Sequence, residues 1–511
     1  MIAQSWTAVL LGVAVVGSGA GIGAVVARRL ALPTATRVAM IGAGGLAVVG
    51  LVTLVVGHVG LLGPWLPYGL AVIGVVVGLA ARVELVATMA SAWRAILRQF
   101  RRYPIPLAAV ALCLVIAFVT CFAPPSRRDE IEYHWPAPLD WAAQGVWTDS
   151  PYRHVDGFPF MEIVYTSAAT QGSYVAAHLL HFGAFLTLGF AVAGVAASMG
   201  VRGTGVTAAA ALAMPVVWDS AYAAYNDTPV ATFAMLAVAV VLAAPRRSLS
   251  AVLVAGLLIA VATSIKPTGI VSVGVVGLII LMRFAFGATT RVSSPTHVGA
   301  ADTAGSSVDP VRAPGSTPAG EPRPPLGRLA AQLGVLVAPG LLALAFWSIR
   351  QFVITGDLID PRYVGERDPE AAARLPDAMQ QLIAPLLPFV GGIIGSAEPW
   401  GGRTSLVVQL FLIPALIYVF VRRGSVLRRT MLMLVPAWAH WIVLGLVNVR
   451  TRFHVLSWAM MVVAVRIAVE DFADRHPRAR IWLEIAWTLC ILLGLADVSF
   501  EMIRHLQGIW A

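Results

Sequence analysis

The chain has 511 residues, of which 58% are hydrophobic and 12% charged, with a mean hydropathy of +0.80. A soluble domain carries about 25% charged residues, so this chain cannot cover itself with a solvated surface, and the soluble globular classes are excluded. Its formal charge of +10 reads as arginine anchoring of cytoplasmic loops rather than as nucleic-acid binding.

Runs of roughly 20 mostly apolar residues, the length that crosses a bilayer, recur along the whole sequence. They predict an all-α, polytopic membrane helix bundle of about fourteen transmembrane helices. The expected spans are 6–27, 38–57, 67–86, 105–122, 175–198, 204–222, 228–244, 249–265, 268–286, 329–350, 404–421, 430–447, 453–470 and 481–502. The first span ends in Arg28-Arg29 and is too long for the apolar part of a signal peptide, so it is expected to be retained. Cys113, Cys121 and Cys490 lie inside apolar runs, with neither disulfide nor metal spacing.

The segments between spans sort by arginine. Arg28, Arg29 and Arg37, then Arg94 to Arg102, Arg202, Arg246-Arg247, the 287–328 loop, Arg422 to Arg429 and Arg475 to Arg480 all fall on one side. The excess of positive charge makes that side cytoplasmic and sets both termini outside. The 287–328 loop, rich in Pro, Gly, Ser, Thr and Ala, has no apolar period and reads as a disordered linker.

Polar groups at helix ends facing a cavity are candidates for function, and they gather on the opposite, external side. The first external loop opens with RRDEIEYH, bearing Asp129, Glu130, Glu132, Tyr133 and His134. Carboxylates partly withdrawn from water can act as bases or hold a metal; a charged cap on the bundle is the structural alternative. WPAPLDWAAQGVW then predicts a short interfacial amphipathic helix, and His154, Asp156 and Glu162 follow before the next span. YNDTP carries Asn226 and Asp227, for which an Asp N-cap with proline in the first turn is a sufficient structural account. SIKPTG carries Lys266, the one lysine beside 35 arginines (36 Lys plus Arg in all). It is a compact point charge suited to phosphate, or else a snorkelling anchor. The second external segment begins with Arg350 and Asp357, and NVRTRFH places Arg450 and Arg452 outside, against the arginine trend, as an anion clamp or as partners of loop acids.

Taken together, these pieces resemble a known group of enzymes. An apolar helix followed by D-x-x-x-Y-H-x-P (Asp129 to Pro136) and W-x-x-x-G (Trp141 to Gly145) is similar to the polytopic glycosyltransferases of the GT-C superfamily. The likeness is strongest to the bacterial branch related to dolichyl-phosphate-mannose and lipid A aminoarabinose transferases. YNDTPVATF, WSIRQFVITGDLIDP and TRFHVLSWAMM resemble later elements of that branch, in order and on the same face; Asp357 stands where the branch often has Asn, and the last element lacks its usual proline. The resemblance covers roughly residues 105 to 470. It implies three extra helices and a cytoplasmic loop in 1–104, a catalytic membrane module in 105–470 and a final helix in 471–511.

The resemblance also implies an inverting transfer from a polyprenyl-phosphate sugar to a glycan, lipid or protein acceptor outside the plasma membrane; the Arg-, Ala- and Val-rich composition, which suits a high-GC coding sequence, adds mannose or arabinose as the expected sugar. Asp129 matches the position of the base, with Glu130 as the fallback. Lys266, Arg450, Arg452 and His134 are the candidate phosphate contacts. Tyr133, Asp156, Glu162, Asn226, Asp227, Arg350 and Asp357 complete the candidate set. No cofactor is expected; Asp129, Glu130, Asp156 and Glu162 offer oxygen ligands for a divalent metal ion, but no spacing demands one. A transporter or flippase of a lipid-linked precursor is the main alternative. It would place its charges near the bilayer midplane and often shows inverted repeats, neither of which is read here.

Overall fold

The fold was obtained as a computed structural model, which describes residues 2–152, 157–218, 221–286, 325–356, 405–445 and 451–510. Among the described residues every regular element is helical. The N-terminal part holds α1 (Ile2–Ala27), α2 (Thr34–His58), α3 (Leu66–Ala80), α4 (Arg82–Arg102) and α5 (Pro104–Thr120). The first loop contains a π-helical turn (Glu130–His134), α6 (Pro136–Gln144) and α7 (Phe160–Ala169). The middle of the chain forms α8 (Tyr174–Ser198), α9 (Thr204–Leu212), α10 (Pro215–Trp218), α11 (Asp227–Ala243), α12 (Leu249–Ile265) and α13 (Val271–Phe286). Last come α14 (Leu326–Thr355), α15 (Leu406–Arg422), α16 (Gly424–Gly445), α17 (Val455–Arg475) and α18 (Pro477–Trp510).

A helix stands at each expected span, with two departures. The span expected at 204–222 is broken into α9 and α10. Pro215 has no N–H to continue the ladder and disfavours helical backbone at Met214. The span expected at 67–86 stops at Ala81, and the chain bends by 83° into α4. The apolar run ends there, and Arg82 and Glu84 begin a segment that is no longer apolar all round. Among the described residues seven helices are long and apolar enough to cross a membrane, or eight if the bent pair counts as one span, and α5, α11, α12 and α15 are shorter apolar helices. The chain is thus a multi-pass membrane protein, and the expected number of fourteen crossings is not reached by length and composition.

Helix α7 was not expected. FMEIVYTSAA reads as the tail of a loop, yet all ten residues are buried. It packs under α6 and against α2 and α8, so the first loop is a folded part of the bundle rather than a flexible crossing. The loop is also stapled to the N-terminal helices. Trp147 donates from Nε1 to the Leu54 carbonyl at 2.8 Å, Leu62 N donates to Gly145 O at 2.9 Å, and Gln171 donates to Pro64 O at 2.5 Å. Gly57 makes room for Trp147: a Cβ there would lie 2.2 Å from the indole. Small residues let helices approach closely in a bilayer, and α1 does this through Gly17, whose added Cβ would sit 1.9 Å from Gly74 O of α3.

The centre of the bundle is α17. Its apolar window is 94% buried, against 22% for α14 at the periphery. Far from the first loop, α17 is pinned by Arg466, which is fully buried. Its guanidinium donates to both Glu484 oxygens at 3.1 and 2.8 Å, to Glu470 at 3.1 Å and to the Tyr103 hydroxyl at 3.1 Å. Glu470 in turn accepts from the amides of Arg202 and Gly203 at 2.9 and 2.8 Å. A buried arginine without such partners would cost several kcal/mol. Here it joins α17, α18, the α4–α5 joint and the α8–α9 loop.

Candidate active site

The first loop is built around Glu130. Its carboxylate is buried and accepts from His178 Nε2 at 2.6 Å, from the Ala224 amide at 2.9 Å and from the Ser126 amide at 3.2 Å. His178, on α8, holds its other ring nitrogen 3.0 Å from the Cys121 carbonyl at the end of α5. Burial pushes the Glu130 pKa up, but the contact with His178 and the two amide donors outweigh it and hold the group at about 2. One ionised side chain therefore ties the end of α5, α8 and the loop before α11 to the π-helical turn.

That lock leaves the preceding residue, Asp129, partly exposed, with its side chain 19% accessible. Asp129 Oδ2 lies 2.9 Å from Nη1 of Arg452, in the short helical turn before α17. Arg452 Nε faces Asp227 Oδ2 at 3.7 Å, and Asp227 Oδ1 accepts from Lys266 Nζ at 2.6 Å. The four side chains form an alternating row, minus, plus, minus, plus, drawn from four separate stretches of the sequence. Phe453 lies beneath the two cations, with Lys266 Nζ 3.8 Å and Arg452 5.4 Å from its ring centroid.

Local backbone explains how the two middle members arrive. Asn226, not Asp227, occupies the N-cap of α11, and it makes no side-chain cap bond. Asp227 is therefore turned to the cations instead of to its own helix, and this corrects the expectation of an Asp N-cap. Lys266 caps α12 in an extended conformation, and Pro267 starts a tight turn that folds back on the helix end. Gly269 permits that return: a Cβ would lie 2.4 Å from the Ala262 backbone.

Two tyrosines wall the row. Burial, reinforced by the nearby Asp129 carboxylate, raises the pKa of both Tyr133 and Tyr225, so each remains a neutral phenol. Behind them His134 is 1% exposed, with its ring 4.2 Å from that of Tyr133 and 5.5 Å from that of Tyr225. Its Nδ1 meets Glu162 Oε1 on α7 at 2.5 Å. Tyr165, one turn along α7, donates to the Tyr225 carbonyl at 2.7 Å, with its hydroxyl also 2.8 Å from His181 Nδ1.

Asp129, Asp227, Lys266 and Arg452 are thus in direct contact, with Tyr133 beside them and the His134–Glu162 pair one layer behind. Glu130 is one residue from Asp129 but faces the loop's own scaffold. Arg350 is buried on α14 with its guanidinium 5.5 Å from the Trp347 ring. Arg450, Asp156 and Asp357 lie outside the described residues. The sequence reading passed over His178 and His181, three apart on an apolar helix, although polar groups inside a span are themselves a signal. It also passed over Tyr225 and Phe453, whose roles depend on contacts across the fold. Among the described residues no group of three or more His, Cys, Asp or Glu side chains is arranged to hold a metal ion.

No family model and no curated protein matches the chain. Among solved structures it is similar to ArnT from Cupriavidus metallidurans bound to undecaprenyl phosphate, with 15% identity, 78% of this chain and 72% of that one covered, and a TM-score of 0.46. It is also similar to the archaeal oligosaccharyltransferase AglB from Archaeoglobus fulgidus in complex with an inhibitory peptide and a dolichol-phosphate, with 13% identity, 79% and 56% covered, and a TM-score of 0.42. Neither likeness assigns a role to a residue of this chain.

Proposed function

We propose that this protein is a membrane glycosyltransferase of the GT-C type. It moves a sugar from a polyprenyl-phosphate donor to a cell-envelope acceptor on the extracytoplasmic face of the plasma membrane. The observation that carries this reading is the row Asp129–Arg452–Asp227–Lys266. It unites a base and two cations where the first loop folds over the end of an apolar bundle, the depth at which a lipid-borne phosphate meets a polar acceptor.

In this reading the donor phosphate docks on Lys266 and Arg452. Asp129 takes the proton from the acceptor hydroxyl. The acceptor oxygen attacks the anomeric carbon from the face opposite the phosphate, and the bond from that carbon to the phosphate oxygen breaks with inversion. The electron pair leaves with the phosphate, whose growing charge the two cations stabilise. Asp227 holds both cations in place before the donor arrives. Asp129 is preferred to Glu130 as the base because every contact of Glu130 favours the ionised, immobile carboxylate, whereas Asp129 has one strong partner that an incoming anion would compete for. Tyr133 and Tyr225, as neutral phenols, serve as hydrogen-bond donors at the wall of the site.

The test is transfer by the purified protein in liposomes, supplied with a panel of polyprenyl-phosphate sugars and an envelope-glycan acceptor, with wild type beside Asp129→Asn. Transfer that depends on Asp129 supports the reading and names the sugar. Movement of a lipid-linked sugar across the bilayer, without a new glycosidic bond and indifferent to Asp129, replaces it with a flippase.

A further inference from the structure

Helix α4 lies at the opposite end of α5 from Asp129, and it divides into three faces. Thr88 and Ala92, four apart, are buried; on this side Ser91 meets Thr34 across 3.0 Å and Gln99 bonds Arg202 O at 3.0 Å and the Gly205 amide at 3.2 Å. A second face carries Val83, Val86, Ala90, Trp93 and Leu97, spaced 3, 4, 3 and 4 residues apart; the four large ones are 72%, 66%, 61% and 38% exposed. A third carries Arg94, Arg98 and Arg101, also one turn apart and exposed, with no carboxylate partner among the described residues. Residues three or four apart share a helix face; at about 100° per residue the apolar stripe lies opposite Thr88 and Ala92, and the arginines run along one edge of that stripe, Arg94 and Arg101 each within one turn of Leu97.

We propose that α4 lies in the plane of the membrane and binds anionic phospholipid headgroups of the leaflet opposite Asp129. Three observations select a lipid surface over a protein. The 83° bend at Ala81 turns the chain sharply out of the direction of α3. The spans on either side also expose apolar residues next to the ends of α4, Val76 and Leu79 on α3 and Ile105 on α5, which are 62%, 58% and 64% exposed. The helix also carries five arginines and a single acid, Glu84, which is engaged by Arg28 at 3.5 Å. A helix with an apolar face at acyl depth and arginines beside it is the form that lies in an interface and favours negative lipids. Docked on the bundle by its buried side, α4 turns its apolar stripe to the acyl chains and reaches phosphates with the arginines along the edge of that stripe.

The experiment compares the full-length protein in nanodiscs of phosphatidylcholine alone with discs containing about one-third phosphatidylglycerol, a composition chosen to give a surface potential of the order considered for anionic leaflets. Native mass spectrometry of released protein counts retained phosphatidylglycerol for wild type and for the triple variant Arg94→Gln, Arg98→Gln, Arg101→Gln. The expected loss of affinity is about fivefold per arginine, the equivalent of about 1 kcal/mol per basic residue at an anionic surface. A nitroxide on Trp93→Cys should read acyl-chain depth, with oxygen quenching it more than a water-soluble nickel complex. Equal lipid retention by variant and wild type overturns the headgroup assignment. A nitroxide open to nickel overturns the in-plane placement. A nitroxide shielded from both reagents, in a particle holding two copies of the chain, assigns the stripe to self-association instead.

Discussion

Lys266 Nζ and Asp227 Oδ1 meet at 2.6 Å, although 39 positions separate them in the chain. The contact leaves the only lysine of the protein beside Phe453 and one carboxylate away from Arg452. It makes Lys266 a charge already fixed in place, and fixed charges are those that stabilise a developing negative charge without reorganisation.

Replacing Lys266 by alanine is therefore expected to weaken retention of polyprenyl phosphate and to lower transfer about 10²–10³-fold, the usual loss for one such electrostatic contact. Binding of a labelled polyprenyl phosphate to the purified variant checks this. Unchanged affinity would reduce Lys266 to a membrane anchor.

Asp129→Asn should abolish transfer, by roughly 10²–10⁴-fold for loss of a general base, while donor binding stays near the wild-type level. Because the same change removes the partner of Arg452, donor affinity is expected to hold or rise, since Arg452 no longer has to leave a carboxylate. A fall in donor affinity equal to the fall in rate would move Asp129 from the reaction to the scaffold.

Arg452→Lys keeps the charge but loses the fork that spans Asp129 and Asp227. Transfer should drop, and the double variant with Asp129→Asn should cost little beyond Asp129→Asn alone, because residues acting as a unit are non-additive. Full additivity of the two changes would show that the two side chains act separately.

Glu130 should leave its mark on stability rather than on the pH profile of transfer. Its pKa is lowered in the folded protein, from an ordinary 4.5 to about 2. The stabilisation is then fully present above pH 4.5 and disappears as pH falls toward 2. Thermal unfolding in detergent should show Glu130→Gln less stable than wild type at pH 6, with the gap closing between pH 4.5 and 2. A gap that stays constant over that range would place the cost of the variant in packing.

The helices were largely legible because a bilayer demands about 20 apolar residues wherever the chain crosses. The outer ends of α11, α12 and α17 were legible as carriers of polar groups for the same reason. What sequence could not give was the pairing. Nothing local says that Asp227 would turn away from its helix end, or that Arg452 would lie between two acids. The first loop hid most: α7 is ten residues long, too short to read as a span, and its burial follows from α2, α6 and α8 closing around it. The break at Pro215 was readable from the proline, and the bend at Ala81 from the arginine and glutamate that follow it.

The bond from Trp147 to the Leu54 carbonyl has a consequence for how the molecule is made. Leu54 emerges from synthesis nearly a hundred residues before Trp147, whereas His178 and the Ala224 amide, which hold Glu130, emerge after the loop. The loop is therefore gripped from both sides of the chain, by a carbonyl made before it and by a histidine and an amide made after it. A version of the chain begun after α2 would offer the indole no carbonyl and no gap of the kind Gly57 provides, and Asp129, which rides on that loop, would lose its fixed address.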